Sequence, residues 1–378
     1  MQYSKYPLLP RFSLAMVSNV SRETLQTTTI RYNASMTKPI KSFTIDELQD
    51  LMKDLKQPAF RKKQLIEWLY LHHVDNYDDM TNLPSSLRDS LAREHPLYVP
   101  TIADMQTSID GTKKFVLSFY DGACVETVAI PSNDGRLTVC CSTQAGCPMG
   151  CAFCATGKEG FTRNLSAGEI VDQIFIVQDH MEKRVSNIVV MGQGEPFLNY
   201  DHTLSALRTL NDEKLLSIGA RHITISTCGI IPGIDRLGNE PEQFTLAVSL
   251  HAALQHTRDT IMPGVSKYPL INLKAALLKY VEHTNRRITL EYAMIQGVND
   301  SAADLEALVD FCTELLCHIN LIPLNEVEGS EFQPSSSKTM EYWHMMLNKH
   351  RIETTVRNSR GSDIAGACGQ LKNALKTR

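Results

Sequence analysis

Three cysteines stand four and three residues apart in Gly146-Cys147-Pro148-Met149-Gly150-Cys151-Ala152-Phe153-Cys154, a loop whose glycines let the backbone wrap a bulky ligand. Three thiolates can hold three irons of a four-iron cluster and leave the remaining iron with an open position. Such a position separates a reactive metal centre from a closed structural one. A zinc knot is the competing reading. It needs a fourth ligand close by, and no His or further Cys occurs between Cys154 and His180. The chain has ten cysteines among 378 residues and no recognisable secretory leader. That usage suits a reducing compartment, where clustered cysteines bind metals or react more often than they form disulfide frameworks, so a cytoplasmic protein is expected.

A scaffold must hold this loop. Strand-like runs at 136–143, 187–191, 222–227, 244–250, 287–295 and 318–324 alternate with helix-period runs at 166–182, 202–211, 233–238, 270–284, 301–317 and 337–350. Six successive β/α units predict an α/β fold with a parallel sheet, a partial (β/α)6 barrel over 136–350. In such folds chemistry gathers where strands end and loops begin, and segments 147–154, 192–196, 226–229 and 249–251, together with Asn325, fall there. Upstream, residues 106–135 read as a β-hairpin linker turning at Asp121-Gly122. Residues 44–55, 60–72 and 85–94 show helical periodicity, and Thr44 stands three residues before Glu47 as in a capping box. A small helical accessory domain is therefore expected over 36–105. Arg61, Lys62 and Lys63 open its second helix, as a solvated face or as a phosphate contact.

Composition bounds the function. With 43% apolar and 21% charged residues, the chain can bury a large core. No run of eighteen apolar residues occurs, so no membrane association is expected. A net charge of −4 argues against indiscriminate polyanion binding, and any nucleic-acid contact must come from local patches. The segment 351–378 is one; from 349 onward seven Lys/Arg stand against Glu353 and Asp363. The first 35 residues carry Arg11, Arg22 and Arg31 and one acidic residue. They fit a transit peptide or a start placed upstream of Met36, and the second is preferred.

The CxxxCxxC spacing, with aromatic Phe153 before the last Cys, resembles the radical SAM superfamily. There the open iron binds the amino and carboxylate groups of S-adenosylmethionine, and an electron from a [4Fe-4S] cluster cleaves it to a 5′-deoxyadenosyl radical. Four further segments, within a similarity over residues 40–375, resemble the RlmN/Cfr family of RNA adenosine methyltransferases: 126–131 (Glu-Thr-Val-Ala-Ile-Pro), 191–196 (Met-Gly-Gln-Gly-Glu-Pro), 249–251 (Ser-Leu-His) and 367–371 (Ala-Cys-Gly-Gln-Leu). The resemblance implies Cys147, Cys151 and Cys154 as cluster ligands, with Gly194 and Glu195 at the amino group of S-adenosylmethionine. It implies Ser226, Ser249, Leu250, His251 and Asn325 around the rest of that cofactor. It also implies Cys368 as a methyl-carrying thiol, Cys140 as its partner seven residues before the cluster, and Glu126 as proton acceptor. The detour has a chemical reason. C2 and C8 of adenine are electron-poor and do not displace methyl from a sulfonium, whereas a thiolate does. One S-adenosylmethionine would methylate Cys368 and a second would supply the radical, so two are used per turnover. Release then requires a Cys140–Cys368 disulfide, later reduced.

Several of these residues have plain alternatives. Glu126 would otherwise be an exposed strand-end carboxylate, Cys368 a small buried apolar side chain, and His251 a satisfied structural histidine. Adjacent Cys140 and Cys141 must point to opposite faces of a strand, so only one can serve. Gln193 and Cys228 depart from the family's common Met and Ser.

A base must leave its stack to be reached, so a basic surface should border the pocket, with Lys113, Lys114, Arg163, Arg357, Arg360 and Lys372 as candidates. RlmN-type members modify C2 in 23S rRNA and beside the tRNA anticodon; Cfr-type members modify C8 of rRNA. Pro196 after Gly194-Glu195 matches the RlmN type. A monomer served by an electron donor such as flavodoxin is expected. A radical SAM enzyme acting on a peptide or metabolite, and a zinc-stabilised RNA-binding module, are the readings from other classes.

Overall fold

The Thr44 hydroxyl accepts the Glu47 N–H and the Glu47 carboxylate accepts the Thr44 N–H, a reciprocal cap that starts α1 (Ile45–Asp54). The computed structural model describes residues 38–372; the expected leader and the last six residues of the basic tail lie outside the described residues. Helices α2 (Phe60–Tyr70) and α3 (Ser85–Glu94) follow, and Leu48, Met52, Leu65, Leu69, Leu87 and Leu91 bury one apolar stripe from each of the three. Strands β1 (Thr101–Thr107), β2 (Lys113–Ser118), β3 (Cys124–Pro131) and β4 (Leu137–Cys140) then run as an antiparallel meander. Past β4, a two-stranded sheet of β5 (Gln144–Gly146) and β6 (Phe161–Asn164) brackets the three-cysteine loop and the short α4 (Ala155–Glu159).

From there helix and strand alternate: α5 (Ala167–Met181), β7 (Asn187–Val190), α6 (Tyr200–Asn211), β8 (Ile223–Thr227), α7 (Ile231–Gly238), β9 (Thr245–Ser249), α8 (Gln255–Ile261), α9 (Leu270–Thr284), β10 (Ile288–Met294), α10 (Ala302–Cys312), β11 (Cys317–Pro323), α11 (Ser337–Lys349) and β12 (Thr354–Val356). The ten-stranded sheet has the order β1-β2-β3-β4-β7-β8-β9-β10-β11-β12, parallel from β4 onward. Among the described residues no ladder joins its two ends, so the barrel is open, in keeping with the partial barrel expected. The core strands are buried on both faces, which is why they read as near-continuous Val/Ile/Leu runs.

Four strands escaped the sequence reading, among them the short β5 and β6 that flank the three-cysteine loop. β1 is an edge strand exposed along most of its length, so it shows no apolar alternation, and β12 has only three residues. The helical region is bound to the sheet by an ion pair that periodicity does not reveal. Lys41 Nζ lies 2.6 Å from Asp172 Oδ1 on α5, both buried, and His73 stacks on Phe175 with its Nε2 3.3 Å from the same carboxylate.

Candidate active site

The C-terminal ends of the parallel strands surround a cavity of about 980 Å³ including its open mouth. Cys147, Cys151 and Cys154 form one wall. Their loop is strapped at three points: Cys147 N–H donates to Gly160 O at 2.8 Å, Ala152 N–H to Ile261 O at 2.9 Å, and Gly264 N–H to Met149 O at 3.1 Å. Gly146 has φ +78°, and a Cβ there would meet Gly160 O at 2.1 Å, so the loop's first hinge admits only glycine. Burial pushes the Cys147 thiol up to about 12 and raises Cys154, whereas contact with the Cys228 thiol lowers Cys151.

The residues expected to hold S-adenosylmethionine line the same cavity, apart from Leu250. Gly194 has φ +101° and packs so closely that a Cβ would fall 2.6 Å from Gln144 Cβ. The Glu195 carboxylate is buried, accepts the N–H groups of Cys228 at 2.7 Å and Phe197 at 3.0 Å, and has its pKa raised by burial. Ser226 and Ser249, at the ends of β8 and β9, bring their hydroxyls to 3.4 Å. His251 adopts φ +54°, and its Nδ1 accepts the Ala293 N–H at 2.9 Å, which leaves the ring proton on Nε2. Burial, helped by the charge of Arg258, drives its pKa down to about 3, so the ring stays neutral. Asn325 lines the cavity but spends its amide on Cys368 O at 3.0 Å. Leu250 is different: its side chain is fully buried in the core, so only its backbone could meet a ligand.

A second cavity adjoins the first beneath the C-terminal segment, and Cys140 and Cys368 both line it. Cys140 packs with Val128 and Leu371, while Cys141 faces the main core. The segment is clipped down by Ala155 N–H to Gly369 O at 2.8 Å, Thr156 Oγ1 to Leu371 O at 2.6 Å, and Lys372 N–H to Glu126 Oε2 at 2.8 Å. Glu126 lies behind Leu371, fully buried, and is not among the residues lining either cavity. Burial lifts its pKa to about 7 against the pull of Lys114, whose Nζ is 3.4 Å away.

Most cations offered for RNA contact are engaged within the protein. Lys114 is buried beside Glu126; Arg163 pairs with Asp121 and Glu169; Arg357 faces Glu291; Lys372 pairs with Glu328; and Arg360 is 4.0 Å from Asp110. Lys113, on β2, is partly exposed.

Two functional-looking residues, Arg258 and Glu291, were missed, and Gln193 was named without a role. Gln193 accepts the Glu126 N–H at 3.0 Å and so ties β3 to the Gly194 loop. Arg258 is buried and donates to Cys228 O at 2.7 Å, with no motif to mark it. Glu291, a lone carboxylate in the apolar run 288–294, was a signal left unused.

The donor set suits an iron–sulfur cluster. Three thiols from one short loop line a single cavity wide enough for a bulky group.

Residues 141–312 match the radical SAM superfamily, and residues 40–96 match the ribosomal RNA large subunit methyltransferase N-terminal domain. A probable dual-specificity RNA methyltransferase RlmN from Clostridium novyi is 46% identical over 89% of this chain and 98% of its own length. One of the same name from Bacillus cereus is 43% identical over 90% and 95%. The crystal structure of a radical SAM methyltransferase from Sphaerobacter thermophilus superposes with a TM-score of 0.83 at 43% identity, covering 89% of this chain and 99% of that one. A [4Fe-4S] cluster and S-adenosylmethionine are the cofactors this superfamily brings with it, and the chain belongs to the RlmN family of radical SAM RNA methyltransferases.

Proposed function

We propose that the protein methylates C2 of an adenosine in 23S rRNA and in tRNA beside the anticodon, with Cys368 carrying the methyl carbon. The observation that carries this reading is the shared cavity of Cys140 and Cys368, opening onto the cavity of the three cluster thiols. The dual-specificity name of its relatives supports two RNA substrates, and Pro196 supports C2 over C8.

Cys147, Cys151 and Cys154 would hold the cluster, and Gly194, Glu195, Ser226, Ser249, the Leu250 backbone, His251 and Asn325 would hold S-adenosylmethionine. When bound, these groups supply the methyl group and a radical able to remove hydrogen from an unactivated carbon. The protein's own residues do the rest. Cys368, as thiolate, accepts the methyl. Once hydrogen has been removed from the S-methyl group, its carbon bonds to C2 of the ring. Glu126, covered by the Lys372 N–H in this structure, takes the ring hydrogen as a proton, a task for which a carboxylate with its pKa raised to about 7 is matched; the one electron left over would return to the iron–sulfur group. The Cys140 thiolate attacks the Cys368 sulfur; the S–S bond forms as the S–C bond breaks, and the electron pair stays with carbon, which takes up a proton. An external dithiol then reduces the disulfide. A donor of the flavodoxin type serves the cluster. His251 stays neutral and offers an Nε2 proton rather than a charge.

Reconstituted enzyme incubated with 23S rRNA and with tRNA should yield 2-methyladenosine on nuclease digestion and mass spectrometry, and Cys368 should gain one methyl. Recovery of 8-methyladenosine, or undiminished methylation by Cys368→Ala, sinks the reading.

A further inference from the structure

Arg357 follows β12, and its sequence context marks it only as a basic residue. In the fold its guanidinium turns inward. Its backbone N–H donates to Leu321 O at 2.9 Å, and Nη1 lies 3.5 Å from Glu291 Oε2. Glu291, buried within β10, is held in turn by Asn320 Nδ2 on β11, which donates to Oε1 at 2.9 Å. This chain of contacts places Arg357 where the two cavities meet. Arg357 and Cys368 line both, Glu291 lines the first and Cys140 the second.

Cys140 is buried and Cys368 is exposed where it lines both cavities. Crowding by the surrounding protein disfavours both thiolates, that of Cys140 most, and in both the charge of Arg357 opposes the shift. The other charges near Cys368 do not substitute for it. Glu291 disfavours the thiolate, Arg360 is directed toward Asp110 at 4.0 Å, and Lys114 and Lys372 are engaged by Glu126 and Glu328 behind Leu371. A planar cation that never deprotonates suits a role beside two thiols that ionise in turn.

We infer that Arg357, fixed by Glu291, is a positioning residue shared by both thiols, stabilising Cys368 as thiolate for methyl acceptance and Cys140 as thiolate for the attack that frees the product. The inference rests on the roles proposed above for these two cysteines. Its test does not. Full-length protein, reduced and kept anaerobic, is alkylated with iodoacetamide between pH 6.5 and 10.5, and each cysteine is followed by peptide mass spectrometry. In Arg357→Gln, Cys368 and Cys140 should react about tenfold more slowly at pH 7.5, the equivalent of one unit of pKa. Cys124, away from both cavities, should not change. Arg357→Lys should recover most of the loss. Arg357→Met, which keeps the apolar stem, replaces Arg357→Gln if that variant does not fold. Superimposable pH profiles overturn the inference, as does a loss that Arg357→Lys does not recover, which would report access rather than charge. Methylation surviving in Cys368→Ala would remove the proposed function and leave these profiles standing; flat profiles with Cys368→Ala inactive would remove only the role of Arg357.

Discussion

At the scale of single residues, burial decides what the chemistry-bearing groups can do. Glu126 titrates near pH 7 because the fold removes its water and returns only the Lys372 N–H and the nearby Lys114 charge. The role proposed for it requires the ionised form, so methylation should rise with pH through about 7, and Glu126→Gln should lose activity by 10²-fold or more without losing cluster iron. A rate that is flat from pH 6 to 8 would remove Glu126 from the mechanism. Stability moves the other way. The folded carboxyl holds its proton to a higher pH than the unfolded one, so its contribution is full below the unfolded value of about 4.3 and is lost as pH rises through about 7. Denaturation midpoints should show a shallower fall with pH in Glu126→Gln than in wild type. The cysteines divide in the same way. Cys228 touches Cys151 and lines the same cavity, yet stands outside the three-residue spacing. Cys151→Ala should abolish anaerobic iron and sulfide loading, and Cys228→Ser should load as wild type; a Cys228→Ser protein without iron would make that thiol a ligand.

At the scale of elements, periodicity carried the reading a long way. The six β/α units and the three capped or amphipathic helices lie within a few residues of their expected places because each buries a regular apolar pattern. The cluster loop was legible because three ligands from one short segment need no tertiary information to be recognised. Positions drawn from distant strands were not. Nothing local says that Gln193 bonds to Glu126, that Arg258 holds Cys228, or that Arg357 points inward, since each contact exists only once the sheet has formed. The joint between helices and sheet is of this kind. Lys41 neutralises Asp172 where both are nearly inaccessible, so Lys41→Met leaves a buried carboxylate with only His73 for company. Removal of one partner of a buried pair costs about 3 kcal/mol or more, measurable by urea denaturation. The pKa of His73 is raised by its bonds to Asp172 and Asp179 against burial, so its help is present below its unfolded value near 6.5 and lost as pH climbs past the folded one. The variant should therefore weaken further in alkaline buffer; a loss below 1 kcal/mol would show the joint to be solvated.

At the scale of the whole molecule, the charge balance limits how a large RNA can be held. The chain carries a net −4, and the cations nearest the site are mostly spent on carboxylates of the protein itself: Lys114 on Glu126, Arg163 on Asp121 and Glu169, Arg357 on Glu291, Lys372 on Glu328. Phosphate contacts must then draw on cations farther out. At the start of α2, Arg61 is committed to Gln64 and Asn82 O, but Lys62 reaches only the neutral Gln49 amide and Lys63 stands exposed 3.7 Å from Glu67. Those two lysines sit within the segment that matches the ribosomal RNA large subunit methyltransferase N-terminal domain. Each phosphate neutralised contributes roughly 0.7–0.9 to the slope of log affinity against log salt. Lys62→Glu combined with Lys63→Glu should therefore flatten that slope by about 1.5 for tRNA and raise KM, with the same alkylation profile at Cys368 and the same iron content as wild type. An unchanged slope would place the phosphate contacts elsewhere and return the α2 lysines to a solvated helix face.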